Sequence, residues 1–286
     1  MLVRAHRLIP LLAALAACSP EPASRAADSS TGATTATAEV VAVDTALPKG
    51  DLGASVLRGR AILMATADSL PHNVGNSLRC TSCHLDEGRR ANSMPWTGVY
   101  ARFPQYRSRT GSVIRLEDRI NDCLERSLNG KALPYADPAM RDMVAYMAHL
   151  SKGVAVGATV PGQGLPKIEA TSGDTIAGLA TWKAQCMRCH GENGEGTSVA
   201  PPAWGPKSFN IGAGMGRLRT AAAFIQHNMP FDTPGTLSEQ QAIDVAAYVV
   251  SRPRPDYARK AEDWPRGDPP PDVAYPTAAG RRVALK

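Results

Sequence analysis

The sequence predicts an all-α chain of two tandem domains built on one plan, and three observations predict it. A Cys-x-x-Cys-His motif occurs twice, at Cys80-Thr81-Ser82-Cys83-His84 and at Cys186-Met187-Arg188-Cys189-His190, with starts 106 residues apart. From His84 to Cys123 is 39 residues, and from His190 to Met229 is also 39. Each of these arms is followed by an amphipathic helical pattern with an Ala-Tyr pair, Ala145-Tyr146 and Ala247-Tyr248. A fixed period of this kind implies one fold used twice. Runs of alternating β-branched residues, the mark of strands, are absent.

Taken in chain order, residues 1–17 read as an export signal and are excluded from the fold. Arg4 and Arg7 precede the apolar run Leu8 to Ala17, which is too short for a membrane-spanning helix. The run ends in Leu15-Ala16-Ala17-Cys18, which resembles a bacterial lipoprotein cleavage site with Cys18 as the lipidated first residue. Ordinary cleavage nearby is the alternative, and it leaves Cys18 a free thiol or removes it. Residues 18–51, rich in Ala, Ser, Thr and Pro, form a flexible tether. The first domain covers 52–152, a Gly/Pro-containing linker 153–167, the second domain 168–251, and a Pro-rich tail 252–286. The tail either packs across a domain or stays disordered. Asp137-Pro138 has the form of an N-cap with Pro at the first helical position, followed by Met140, Val144, Met147 and Leu150 at helical spacing. Ser238 with Gln241 forms a capping box before the last helix. No second long apolar stretch occurs, so the expected location is periplasmic, lipid-anchored to a bacterial membrane.

Bulk composition narrows the partners. The formal charge is +6, and removing residues 1–17 takes away Arg4 and Arg7 and no acid, leaving +4. So mild an excess is no nucleic-acid footprint, though it suits a small anionic substrate. Only 5% of residues are aromatic, a thin core that a large flat cofactor in each domain would fill.

The two Cys-x-x-Cys-His motifs name that cofactor as heme c, covalently bound twice. Cys80 and Cys83, and again Cys186 and Cys189, form thioethers to a porphyrin, and His84 and His190 become the proximal iron ligands. A zinc half-site would need a second ligand pair near each motif. The run Gly191-Glu192-Asn193-Gly194-Glu195-Gly196 resembles the loop after the heme motif in class I cytochromes c. The expected architecture is therefore two tandem class I cytochrome c-like domains.

The distal ligands follow from the repeat. Met229 lies at the end of a helical stretch stopped before Pro230, and the residue before Pro leaves the α region. Met215 and His227 compete for the second iron. The matching residue of the first domain is Cys123, with Ile120, Leu124 and Leu128 on the same helical face and Gly130 as the expected helix end. Met94, Met140, Met143 and His72 compete there, and a buried structural thiol is the other reading of Cys123. A thiolate ligand favours ferric iron and lowers the potential, whereas a Met/His pair holds it higher. The remaining cysteines have other assignments, so Cys123 is the one in need of a role.

The stretch Phe103-Pro104-Gln105-Tyr106-Arg107, the Arg119-Ile120-Asn121-x-Cys123-x-x-Arg126-Ser127 core, Asn228-Met229-Pro230, and Arg252-Pro253-Arg254-Pro255-Asp256 with Asp263-Trp264-Pro265 resemble the diheme thiosulfate dehydrogenases, also called tetrathionate synthases. The first-domain pattern is also similar to the cytochrome subunit of the sulfur-oxidising multi-enzyme system. The resemblance implies that two thiosulfate ions are joined to tetrathionate at the first heme, with electrons passing to the second and on to a c-type cytochrome or similar acceptor. It also implies that the reaction can run in reverse in some members. Cys123, Arg107, Arg119 and Gln105 are the implied catalytic and substrate-site residues. Arg102, Arg107, Arg109 and Arg115 form a run without an acid, suited to a repelling pair of dianions. Where some members place Lys before the distal Met as an alternative ligand, this chain has Asn228. A non-catalytic diheme shuttle and a heme subunit of a thiosulfate-oxidising complex are the rival classes.

Overall fold

The structure, a computed structural model, describes residues 46–277. The export signal, Cys18 and most of the tether lie outside the described residues, as do residues 278–286. In the first half, α1 (Gly50–Met64) and the single turn α2 (Thr66–Ser69) lead to the first motif. The turn α3 (Leu85–Gly88) follows, then β1 (Gln105–Arg107), β2 (Ser112–Ile114), α4 (Leu116–Asp122) and α5 (Pro138–His149). In the second half α6 (Thr175–Thr181) runs through a π turn into α7 (Met187–His190), followed by α8 (Leu218–Asn228) and α9 (Glu239–Val250).

The two halves repeat the same helix crossing. In the first, α1 packs on α5, and in the second, α6 packs on α9. Each crossing is made at a glycine. A Cβ on Gly59 would sit 1.9 Å from the Asp142 carbonyl oxygen, and one on Gly178 would sit 2.0 Å from that of Asp244. Any larger residue at either place drives the helices apart. The repeat tyrosines, Tyr146 and Tyr248, each stand one turn beyond these aspartates and are buried. Both expected caps are present: the Asp137 side chain accepts from the Ala139 N–H, and Ser238 and Gln241 bond reciprocally.

The first core gathers Val56, Leu63, Leu124, Leu128, Met140, Met143 and Tyr146. The second is split between an alanine-rich patch around Ala222 and Ala246 and an aromatic cluster of Trp182, Trp204 and Tyr248. Phe209 and Ala213, from the second half of the chain, belong to the first core. The segment 207–213 is bonded into the first domain beside the Cys123 turn. Asn210 Nδ2 donates to Glu125 O (2.9 Å), and Asn76 Nδ2 donates to both Ser127 O and Ser208 O. The seam between the domains is thus covalently remote but hydrogen-bonded along its length.

Two local expectations need amendment. Among the described residues the fold is helical apart from an antiparallel hairpin, which pairs Gln105 with Ile114 and Arg107 with Ser112. Three residues per strand leave no periodic signal to read. The left-handed residue after the Cys123 helix is Asn129 (φ 48°) and not Gly130. Asn tolerates that region and its Oδ1 accepts from Asn210, which fixes it there. The Pro-rich tail packs across the molecule: Gly205 and Ile211 N–H groups donate to Pro253 and Pro255 carbonyls, and Tyr257, Trp264 and Tyr275 are buried. The linker is also pinned, since Asn92 and Met94 donate their N–H groups to Gly162 and Gly164.

Candidate functional site

The two motif histidines are held alike. His84 Nδ1 lies 2.6 Å from Met94 O, and His190 Nδ1 lies 2.7 Å from Pro201 O. A backbone carbonyl that accepts a hydrogen bond from Nδ1–H keeps the proton on that nitrogen and leaves the Nε2 lone pair free, the arrangement a metal-ligating imidazole requires. Burial keeps both rings neutral, with His84 lowered to about 4 despite the opposing effect of the Met94 carbonyl. Trp96 stacks on His84 (centroids 5.0 Å, 30°), and Trp182 lies 5.9 Å from His190. The thiols of Cys80 and Cys83 are pushed up to about 12, chiefly by burial, so neither is an anionic nucleophile.

The residues fit a porphyrin in a second respect. Trp182 Nε1, Arg217 Nε and both Nε and Nη1 of Arg254 are buried donors without a protein acceptor. Orphaned donors of this kind are costly, and the propionates of a bound heme would supply carboxylates to satisfy them.

Around Cys123 the backbone departs from α geometry. The Leu128 N–H donates to Cys123 O (2.9 Å), closing a π turn over Cys123–Ser127. Such turns recur at functional sites because they re-aim a side chain without ending the helix. Ile120, Leu124 and Leu128 are buried on the expected face, while Cys123 is only partly covered. Arg119, one turn earlier, brings Nη1 to 3.0 Å from Cys123 Sγ. The Arg119 guanidinium is raised by the charge of the Cys123 sulfur, which outweighs burial.

Arg107 reaches this neighbourhood from β1. Burial, and then Arg119, lower it to about 10, so it remains a cation at neutral pH. Gln105 and Arg107, two residues apart, share the half-buried side of the strand while Tyr106 faces out. Gln105 makes no hydrogen bond to Cys123 or Arg119, so of the predicted set the structure joins Cys123 and Arg119 directly and Arg107 through charge. Arg102 and Arg115 are exposed; Arg115 stacks on Tyr135. Among the competing ligands, Met140 and Met143 are fully buried in the first core, and Met215 packs against that same core.

Met229 follows the last residue of α8 in extended backbone (φ −126°, ψ 148°). Asn228, fully buried, donates from Nδ2 to Asn92 O across the domain seam (2.8 Å) and to Phe224 O. Composition of the seam was not read from sequence. Arg126 and Asp263 stand in the family-like runs already quoted and Asn210 in none, but nothing in the sequence pairs Arg126 with Asp263 or Asn210 with Glu125.

Two helical domains, each with a Cys-x-x-Cys-His motif and an oriented imidazole, define a diheme c-type cytochrome with two covalently bound hemes c. Residues 72–156 match the SoxA/TsdA cytochrome c domain, and residues 173–249 match the family of cbb3-type cytochrome c oxidase subunit III. The chain is 48% identical to the thiosulfate dehydrogenase of Allochromatium vinosum, over 76% of this chain and 84% of that protein. It is 45% identical to that of Psychrobacter arcticus, over 80% and 72%. The solved thiosulfate dehydrogenase TsdBA of Marichromatium purpuratum superposes with a TM-score of 0.72 at 36% identity, covering 76% of this chain and half of that one. The chain belongs to the thiosulfate dehydrogenase family. As an oxidoreductase with cytochrome c domains it works outside the cytoplasm, and among the described residues no helix is long and apolar enough to cross a membrane.

Proposed function

We propose that the protein joins two thiosulfate dianions into tetrathionate at the first heme and delivers the two electrons through the second heme to a c-type cytochrome or similar acceptor. The single observation that carries the site assignment is Cys123 Sγ held 3.0 Å from Arg119 Nη1, with the Arg107 cation beside it. The balance is simple: one S–S bond forms between the terminal sulfurs, two electrons leave, and no proton moves. Two thiosulfates carry four negative charges, so their approach is opposed unless fixed cations face them. Arg107 and Arg119 are those cations, and Gln105 on the same strand face is the neutral donor. Burial strengthens their pull, because a low local dielectric screens less. The two hemes supply one-electron acceptors. Cys80, Cys83, His84 and Cys123 hold the first, and Cys186, Cys189, His190 and Met229 hold the second. Cys18 anchors the mature chain to a membrane surface through lipid.

Purified holoprotein given thiosulfate and ferricyanide should form one tetrathionate per two ferricyanide reduced. Ferricyanide reduction without tetrathionate, or none at all, would contradict the reading and favour a shuttle.

A further inference from the structure

The tail beyond α9 supplies an acid, Asp263, that serves both elements of the proposed site. The Asp263 carboxylate is only 2% exposed, and it lies between two arginines from different elements. Arg126 donates to it twice, from Nη1 at 2.9 Å and Nη2 at 2.8 Å. Arg109 Nη1 stands 3.9 Å from Oδ2, and the Tyr275 hydroxyl donates to the same oxygen. Arg126 is three residues beyond Cys123 in the π turn, and Arg109 is two residues beyond Arg107 at the hairpin tip. The neighbouring residue completes the bridge: the Trp264 N–H donates to Arg109 O (2.8 Å), and its ring lies 4.6 Å from the Arg109 guanidinium.

The four arginines of the hairpin and the Cys123 helix, at 107, 109, 119 and 126, are therefore unequal. Arg126 is matched by Asp263 and by Asp122 (3.4 Å) and lies over the Tyr257 ring. Arg109 is matched by Asp263 and by Gly212 O (2.6 Å). Arg119 faces Cys123. Among the described residues Arg107 has no carboxylate at ion-pair distance.

We propose that Asp263 is a positioning residue for the sulfur chemistry, holding the hairpin of Arg107 against the turn of Cys123 and neutralising Arg109 and Arg126. Only Arg107 and Arg119 are then left to receive the anionic substrate. Without the carboxylate, two more cations compete for a dianion and draw it away from Cys123. The same loss of negative charge beside the first heme disfavours its ferric state and raises its potential. The inference rests on the site assignment made under Proposed function.

The test is Asp263→Asn in the full-length holoprotein, read by heme content, by the two heme potentials and by steady-state kinetics. Expected are two hemes per chain, a higher potential at the first heme with the second unmoved, and a kcat about tenfold lower, in line with the penalty for misplaced reacting groups. Asp263→Glu restores the potential while recovering kcat in part, and Arg109→Gln added to Asp263→Asn brings the potential back toward the parent. An unmoved first-heme potential overturns the proposal, as does an equal shift of both hemes, which marks a general loosening. Should Asp263→Asn fail to hold two hemes, Tyr275→Phe removes one hydrogen bond to the carboxylate and is read the same way, with no change again overturning the idea. Parent protein inactive toward thiosulfate sinks the functional reading instead, while the potentials still report on Asp263.

Discussion

Cys123 and Met229 stand the same distance beyond their histidines but arrive there by different backbone. Met229 leaves α8 in extended conformation, whereas Cys123 stays inside a helix and is turned by a π bond pattern. Their sulfurs also differ in surroundings, since only Cys123 has a guanidinium against it. Met229→Ala should abolish the weak sulfur-to-iron charge-transfer band of the oxidised spectrum and leave the first heme's spectrum intact. An unchanged band would hand the ligand role to another sulfur, Met215, because the imidazole of His227 gives no sulfur-to-iron transition. Ligation at the second iron should also stay the same on reduction. Asn228 is uncharged, buried and committed to Asn92 and Phe224, so it cannot reach out as a ligand. A change in ligand signature between oxidised and reduced magnetic circular dichroism would contradict that. The heme cysteines, both histidines, Cys123 and Met229 are legible as candidates because their signal lies in local spacing. Asn228's contact with Asn92 was not, since nothing in either segment encodes a partner 136 residues away.

Helices show the same division between local and distant information. The caps at Asp137 and Ser238 and the stripe of α5 are short-range patterns and were read directly. The hairpin was missed because three residues per strand are too few to set a period apart from chance; the tail holds it in place, through the Trp264 N–H on Arg109 O. The α1–α5 crossing adds an electrostatic latch that the sequence conceals. Asp142 accepts from Ser55 Oγ and from Arg58 Nε (2.7 Å), and the Arg58 bond first, then that from Ser55, hold its carboxyl below the usual 3.8 against the effect of burial. A depressed folded-state pKa contributes stability that is present above the unfolded value and is lost as pH falls through the folded one. Asp142→Asn should therefore lower stability at pH 7 by about 1 kcal/mol, discounted for the solvent-exposed Arg58. That difference should shrink below about pH 4 and vanish at lower pH. Denaturant melts of both proteins across that range check it, and a gap that persists at pH 2 would refute the linkage.

At the scale of the molecule, the two-domain plan and its repeat were readable, while the fastening of the domains was not. Segment 207–213, Asn228 and the tail each bond across the seam through pairs far apart in sequence, which tertiary packing alone selects. Composition left open whether the tail packs across a domain or stays disordered, and its three aromatic residues, all buried, answer for packing. Truncation after Ser251 should therefore cost stability well beyond loss of a loose end. It strips Tyr257, Trp264 and Tyr275 from the core and takes away the Asp263 partner of Arg126. Thermal melting of the truncated holoprotein checks this, and an unchanged midpoint would show the tail to be dispensable.

The account turns on Cys123 being the sulfur at which thiosulfate is oxidised. The most direct measurement is tetrathionate formation by Cys123→Gly, with heme content determined on the same sample. Loss of activity with both hemes still attached is the predicted result, because Cys80, Cys83, Cys186 and Cys189 are untouched. Tetrathionate formed at close to the parent rate would contradict the account and leave the protein a diheme carrier whose catalytic residue lies elsewhere.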